Sequence, residues 1–115
     1  MAPKRPPLIV TRHLALVEYI REIGLVPGEV EVMPRADYHD VAGRVVYGVL
    51  PYGLAACAES LVYIPIFPPN NWPKKIDYTI EEIRKWAGRP VIYTVRGQTL
   101  IQDPNITDFR PTGYP

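Results

Sequence analysis

One cysteine and two histidines in 115 residues leave little material for disulfide or metal chemistry. Cys57 alone excludes an intramolecular disulfide framework and any Cys-rich cluster. A zinc site would have to take both His13 and His39 and add carboxylates. A charge excess is missing as well: 13 Lys+Arg stand against 12 Asp+Glu, for a net charge of +1. Proteins that coat long nucleic acid or anionic membrane carry a strong basic excess, so neither partner is expected. No run of about 18 apolar residues is present to cross a bilayer. The apolar core of MAPKRPPLIV is too short for a signal peptide, and a cytoplasmic location follows as the expectation. Also absent are a Walker loop, G-x-G-x-x-G, G-x-S-x-G and H-E-x-x-H. Their absence disfavours triphosphatases, dinucleotide oxidoreductases, serine hydrolases and zincins.

What the chain has in plenty is proline, 14 residues, over twice an average usage near 5%. A hydrophobic fraction of 47% with 22% charged residues is globular composition. The length suits one domain over 1–115, with a basic, proline-rich arm at 1–6 and a loosely held tail at 103–115. The charges are unevenly spread. Residues 1–13 hold Lys4, Arg5 and Arg12 with no acid, whereas 14–43 are acidic.

Leu8-Ile9-Val10 is a short continuous apolar run, as in a strand buried on both faces. Apolar residues from Leu14 to Ile23 recur at helical spacing and stop at Gly24, a C-terminal cap. Glu29 to Met33 alternates like an edge strand, and Pro34–Gly43 reads as polar loop. Arg44–Leu50 predicts a second buried strand and Tyr52–Ser60 a short helix of small residues. Leu61–Phe67 is the next strand, with Pro65 marking an edge or an early end. Thr79-x-x-Glu82 is a capping box opening a helix that stops at Gly88. Pro90–Arg96 and Thr99–Gln102 read as a hairpin. This order predicts an α/β fold with a mainly parallel sheet flanked by helices and a C-terminal hairpin.

Ligands of such sheets bind beyond the carboxyl ends of the strands. Two segments fall there: Thr11-Arg12-His13, and Gly48-Val49-Leu50-Pro51-Tyr52-Gly53. Both open helices, whose first-turn N–H groups favour an anion. Arg12 brings a fixed charge and a bidentate phosphate donor. His13 brings a group able to give or take a proton near neutrality. Thr11 is a cap or a phosphate hydrogen-bond donor, and Tyr52 a base-stacking side chain. Each also has a structural reading: a solvated strand–helix loop for Arg12 and His13, packing relief for Gly48, helix initiation for Pro51. His39 reads as a surface residue, and the spacing of Asp37 and Asp40 beside it matches no calcium loop. Cys57 reads as a small core residue, and Lys74-Lys75 as a solvated pair.

The segments LIVTRH and VVYGVLPYGLAA together resemble a family of small CRISPR-associated proteins of type III systems. That family carries V-(T/S)-R-H at a strand end and G-(T/V)-L-P-x-x-L-A-A some 30 to 40 residues on. Thr11-Arg12-His13, Gly48-Val49-Leu50-Pro51 and Leu54-Ala55-Ala56 match it, and IDYTIEEIRKWAG is similar to its late acidic helix. The resemblance covers residues 7–88. It implies a Rossmann-like homodimeric ring nuclease that binds a cyclic oligoadenylate, cyclic tetra-adenylate in the first place, and opens it. It further implies internal attack of a ribose 2′-OH, without metal or cofactor, giving a linear product with a 2′,3′-cyclic phosphate. His13 and Arg12 would be catalytic. Thr11, Arg12, Gly48, Leu50, Pro51, Tyr52 and Gly53 would hold the ligand. Gly53 departs from the family, which often has histidine there, and this raises the alternative of a binder that sequesters the ring uncut. A second alternative is a small α/β interaction protein whose basic arm docks an acidic partner.

Overall fold

A continuous apolar run with no polar face needs cover on both sides, and Leu8–Val10 receives it as the interior strand β1, buried throughout. The computed structural model describes residues 5–27, 29–70 and 77–98. In chain order they form β1, α1 (Leu14–Glu22), β2 (Glu31–Met33), α2 (Tyr38–Val41) and β3 (Val45–Gly48). Then follow α3 (Tyr52–Cys57), β4 (Ser60–Tyr63), α4 (Ile80–Trp86) and β5 (Val91–Tyr93). The five strands make one sheet in the order β2-β1-β3-β4-β5. β1 to β4 are mutually parallel and β5 runs antiparallel to β4. This is the expected α/β, Rossmann-like arrangement.

Two apolar layers hold it together. On one face Leu8, Val10, Val46 and Leu61 meet Val41 of α2 and Leu54 and Ala55 of α3. On the other, Ile9 and Ile64 meet Val17 and Ile20 of α1 together with Val26. Alternation along β1 sends Leu8 and Val10 to one layer and Ile9 to the other. α4 packs beside α1, where the Arg84 guanidinium clasps both carboxylate oxygens of Glu22 at 2.6–3.2 Å. That hydrogen bonding holds the Glu22 carboxyl below its ordinary value.

At the amino end of the sheet Arg44 is buried, an unusual place for a guanidinium. Its donors reach the carbonyls of Pro6, Pro7 and Asp40 at 2.8–3.2 Å and Glu31 at 3.0 Å. Arg44 thereby ties the lead-in to β1, the start of β2 and the end of α2 to one point.

Several expectations need correction. Pro34–Gly43 is not all loop, since it contains α2, whose capping box pairs Asp37 with Asp40. Each carboxylate accepts the other's backbone N–H, at 2.8 and 3.0 Å. The Asp40 amide is the main reason the Asp37 carboxyl titrates below its ordinary value. These two acids serve the helix end. The fourth strand ends at Tyr63, two residues before Pro65, and Ile66 makes a single antiparallel bridge to Ala87. The Pro65 carbonyl accepts the Gly88 N–H at 2.8 Å, so the proline joins the end of α4 to this turn. β3 and α3 are each shorter than the sequence pattern suggested. The capping box of α4 forms as expected, with both halves made. The first strand of the expected hairpin is β5, which pairs with β4. Its second strand at Thr99–Gln102, the tail at 103–115, Lys74-Lys75 and residues 1–4 of the arm lie outside the described residues.

Among the described residues no helix is long and apolar enough to cross a membrane.

Candidate functional site

The strand order reverses between β1 and β3. β1 leads through α1 to β2 on one side, and the chain returns through α2 to β3 on the other. The crevice at such a reversal, outside the carboxyl ends of the strands, is where open α/β sheets bind ligands. Val10 pairs with Gly48 at the last positions of the two strands. Thr11-Arg12-His13 and Val49-Leu50-Pro51 therefore leave the sheet side by side, although 37 positions separate Thr11 from Gly48 in the chain.

Gly48 makes this juxtaposition possible. Its φ is +136°, and a Cβ there would collide with the carbonyl oxygen of Val10. Only glycine lets β3 approach β1 so closely in that conformation. The packing relief is thus between strand and strand rather than between strand and helix.

Beyond β1, the Thr11 amide extends the β1–β2 pairing by donating to the Met33 carbonyl at 2.9 Å. The Thr11 hydroxyl accepts the His13 N–H at 3.1 Å, a local turn that fixes the chain as it enters α1. His13 itself is the N-cap residue. No side chain caps α1 and its first turn has no acid. Arg12 is exposed and makes no side-chain hydrogen bond or ion pair with a described residue. Among the described residues it stands as an unpaired cation beside an uncapped helix start, a combination that attracts a phosphate. The His13 ring bonds through Nδ1 to the carboxylate of Asp77, just ahead of α4.

Two clefts flank the strand ends. The larger, about 520 Å³, is lined by Val49, Leu50, Pro51, Tyr52, Ala55, Leu61, Tyr63, Tyr93 and Val95. The smaller, about 290 Å³, is lined by His13, Leu16, Val49, Tyr63, Ile64, Ile66, Tyr78 and Ile83. They share Val49 and Tyr63, so they meet across the ends of β3 and β4. The larger lies on the α3 side, with Tyr52 and Ala55 of that helix in its lining. Its walls are apolar and aromatic, suited to flat rings rather than to charge.

Of the residues singled out from sequence, Leu50, Pro51 and Tyr52 line the larger cleft and His13 the smaller. Thr11, Arg12, Gly48 and Gly53 line neither. Thr11 and Gly48 shape the backbone, and the Gly53 carbonyl accepts the Cys57 thiol at 3.3 Å. Tyr52 is 86% exposed and free to meet a ligand. Tyr63, Tyr78, Tyr93 and Asp77 were not anticipated. The tyrosines sit in or beside elements whose pattern reads as structural, and Asp77 reaches His13 across 64 positions. Among the described residues, no group of three or more His, Cys, Asp or Glu is placed to hold a metal ion.

Comparison of the chain with protein-family models, with curated proteins and with solved structures yielded no match.

Proposed function

We propose that the protein is a ring nuclease of the small CRISPR-associated type, acting as a homodimer on a cyclic oligoadenylate. One observation carries the reading: the Val10–Gly48 pairing sets the T-R-H and G-V-L-P motifs side by side at the point of strand-order reversal. Motif resemblance supplies the substrate, and the geometry is compatible with it. Arg12 and the start of α1 suit a phosphodiester, and Tyr52, Tyr63 and Tyr93 offer surfaces on which adenine can stack.

The chemistry needs no outside nucleophile. A ribose 2′-OH attacks the adjacent phosphorus, the P–O5′ bond breaks, and a 2′,3′-cyclic phosphate and a 5′-hydroxyl remain. His13 takes the 2′-OH proton, the departing 5′-oxygen gains one from solvent, and the linear product is an isomer of the ring. The protein's work is alignment and stabilisation of the charge developing on phosphorus-bound oxygens, to which Arg12 contributes. A two-fold dimer presents each motif twice to a ring of matching symmetry. Exposed Leu14 and Val49 around the site give a second copy apolar surface to cover.

A second reading is a binder that sequesters the ring without cutting it. Gly53, where the family often has histidine, and the apolar cleft walls favour it. The interaction-protein reading has less support, because Arg5 of the basic arm donates to the His39 and Ala42 carbonyls at 2.8 and 2.9 Å. Paired measurements of binding and single-turnover cleavage separate the first two. His13→Ala should slow cleavage far more than it weakens binding, while Arg12→Ala should weaken both. Calorimetric binding with no turnover selects the sequestering protein.

A further inference from the structure

We propose that Asp77 is a positioning residue that sets the tautomer of His13, an inference that rests on the ring-nuclease reading. In a neutral imidazole one nitrogen carries the proton and the other a lone pair, and a neighbouring acceptor decides which. The Asp77 carboxylate accepts at Nδ1. The proton therefore sits on Nδ1, and Nε2 keeps the lone pair that a general base needs. An imidazole free of such a partner favours the opposite form, with Nε2 protonated and useless as a base.

Three features make this more than a surface contact. The His13 backbone is held by the Thr11 hydroxyl, so the imidazole starts from a fixed point. Asp77 is two residues ahead of Thr79, whose capping box anchors α4, so the carboxylate approaches from a short lead-in to a capped helix. His13 and Tyr78, the residue after Asp77, line the same cleft. The pair has little value for stability, since the Asp77 side chain is 67% exposed and the His13 side chain 40%. Exposed ion pairs contribute little to folding. Its value is orientation, the part a carboxylate plays behind the catalytic histidine of serine hydrolases.

In the step itself, the 2′-O–H bond breaks and its proton passes to Nε2 as the 2′-oxygen bonds to phosphorus. The P–O5′ bond breaks and the 5′-oxygen takes a proton from water. Nε2 returns its own proton to solvent, so neither protons nor electrons are gained or lost. The Asp77 carboxylate steadies the imidazolium while it exists.

The test uses ¹⁵N–¹H spectra of the full chain in a His39→Gln background, where His13 is the only imidazole, together with single-turnover cleavage of cyclic tetra-adenylate. Neutral His13 is expected in the Nδ1–H form. Asp77→Asn, whose amide can donate to Nδ1, should move it toward the Nε2–H form and slow cleavage about 10- to 100-fold with near-normal ring affinity. Asp77→Glu should restore much of both. An Nε2–H form in the parent, or an Asp77→Asn variant with unchanged tautomer or unchanged rate, overturns the proposal. If the parent binds the ring and never cuts it, the ring-nuclease reading fails. The spectra then decide Asp77 alone: Nδ1–H in the parent and its loss in Asp77→Asn uphold the positioning role, and any other pattern removes it.

Discussion

The carbonyl oxygen of Val10 occupies the space that a side chain at Gly48 would need, at the one point where the two motifs of the chain leave the sheet together. Backbone closeness and site assembly are the same feature. A residue that only loosened packing would tolerate alanine, and this one should not. Gly48→Ala adds both a collision and an unfavourable φ, for a loss of about 3 kcal/mol or more in chemical denaturation. Gly43, at φ +69° with open space around it, should tolerate alanine better. Equal losses at the two positions would contradict the account of Gly48.

Arg44 is predicted to matter for stability and not for chemistry. Arg44→Ala leaves the carbonyls of Pro6, Pro7 and Asp40 and the Glu31 carboxylate without their shared donor. Removing one partner of such a buried network costs about 3 kcal/mol. Thermal unfolding should report the loss, while ring affinity per folded molecule stays unchanged.

The Glu22–Arg84 clasp between α1 and α4 should show a defined pH dependence. The folded-state pKa of Glu22 is lowered chiefly by the Arg84 hydrogen bond, which outweighs an opposing desolvation and is helped last by the Arg84 charge. Its stabilising effect is therefore complete above the unfolded carboxylate pKa and disappears as pH falls through the lowered folded value. Compared with Glu22→Gln, the natural chain should have the higher Tm near neutrality, and the two should converge in strong acid. A gap that persists at the lowest pH would mean the clasp does not act through ionisation.

How far this site could be read from sequence varies element by element. β1 was legible because a doubly buried strand is a continuous apolar run, and α4 because Thr79 and Glu82 form a capping box. β3 was legible from a similar run, although only Val46 and Gly48 in it are fully buried. α2 was missed because four residues carry no periodicity, although Asp37 and Asp40 stand at capping-box spacing. The termination of β4 was half visible in Pro65. Thr11, Arg12 and His13 could be placed at a strand end by chain order alone. Asp77, Tyr63 and Tyr93 could not, since only the pairing of distant strands and the packing of α4 bring them near the motifs.

Tyr52 offers a test of the larger cleft that is separate from folding. At 86% exposure it supports little of the core, so Tyr52→Ala should leave Tm nearly unchanged. If adenine stacks on it, ring affinity should fall by about 1–3 kcal/mol, roughly 5- to 150-fold in Kd. Tyr52→Phe should keep most of the affinity. An alanine variant that binds as tightly as the natural chain would remove Tyr52 from the ligand site.

Exposed Val49 is predicted to lie within the dimer interface. Val49→Asp should convert a dimer, measured by sedimentation, into a folded monomer with weakened ring binding. A natural chain that sediments as a monomer at micromolar concentration would remove the two-fold element of the mechanism.

The central claim is most directly tested by mixing excess protein with cyclic tetra-adenylate in the presence of a chelator and resolving the products by mass and chromatography. The account predicts a linear isomer of unchanged mass, ending in a 2′,3′-cyclic phosphate and a 5′-hydroxyl, and its loss in His13→Ala. A ring that stays intact at enzyme excess, or a product that has gained water in the first cut, would contradict it.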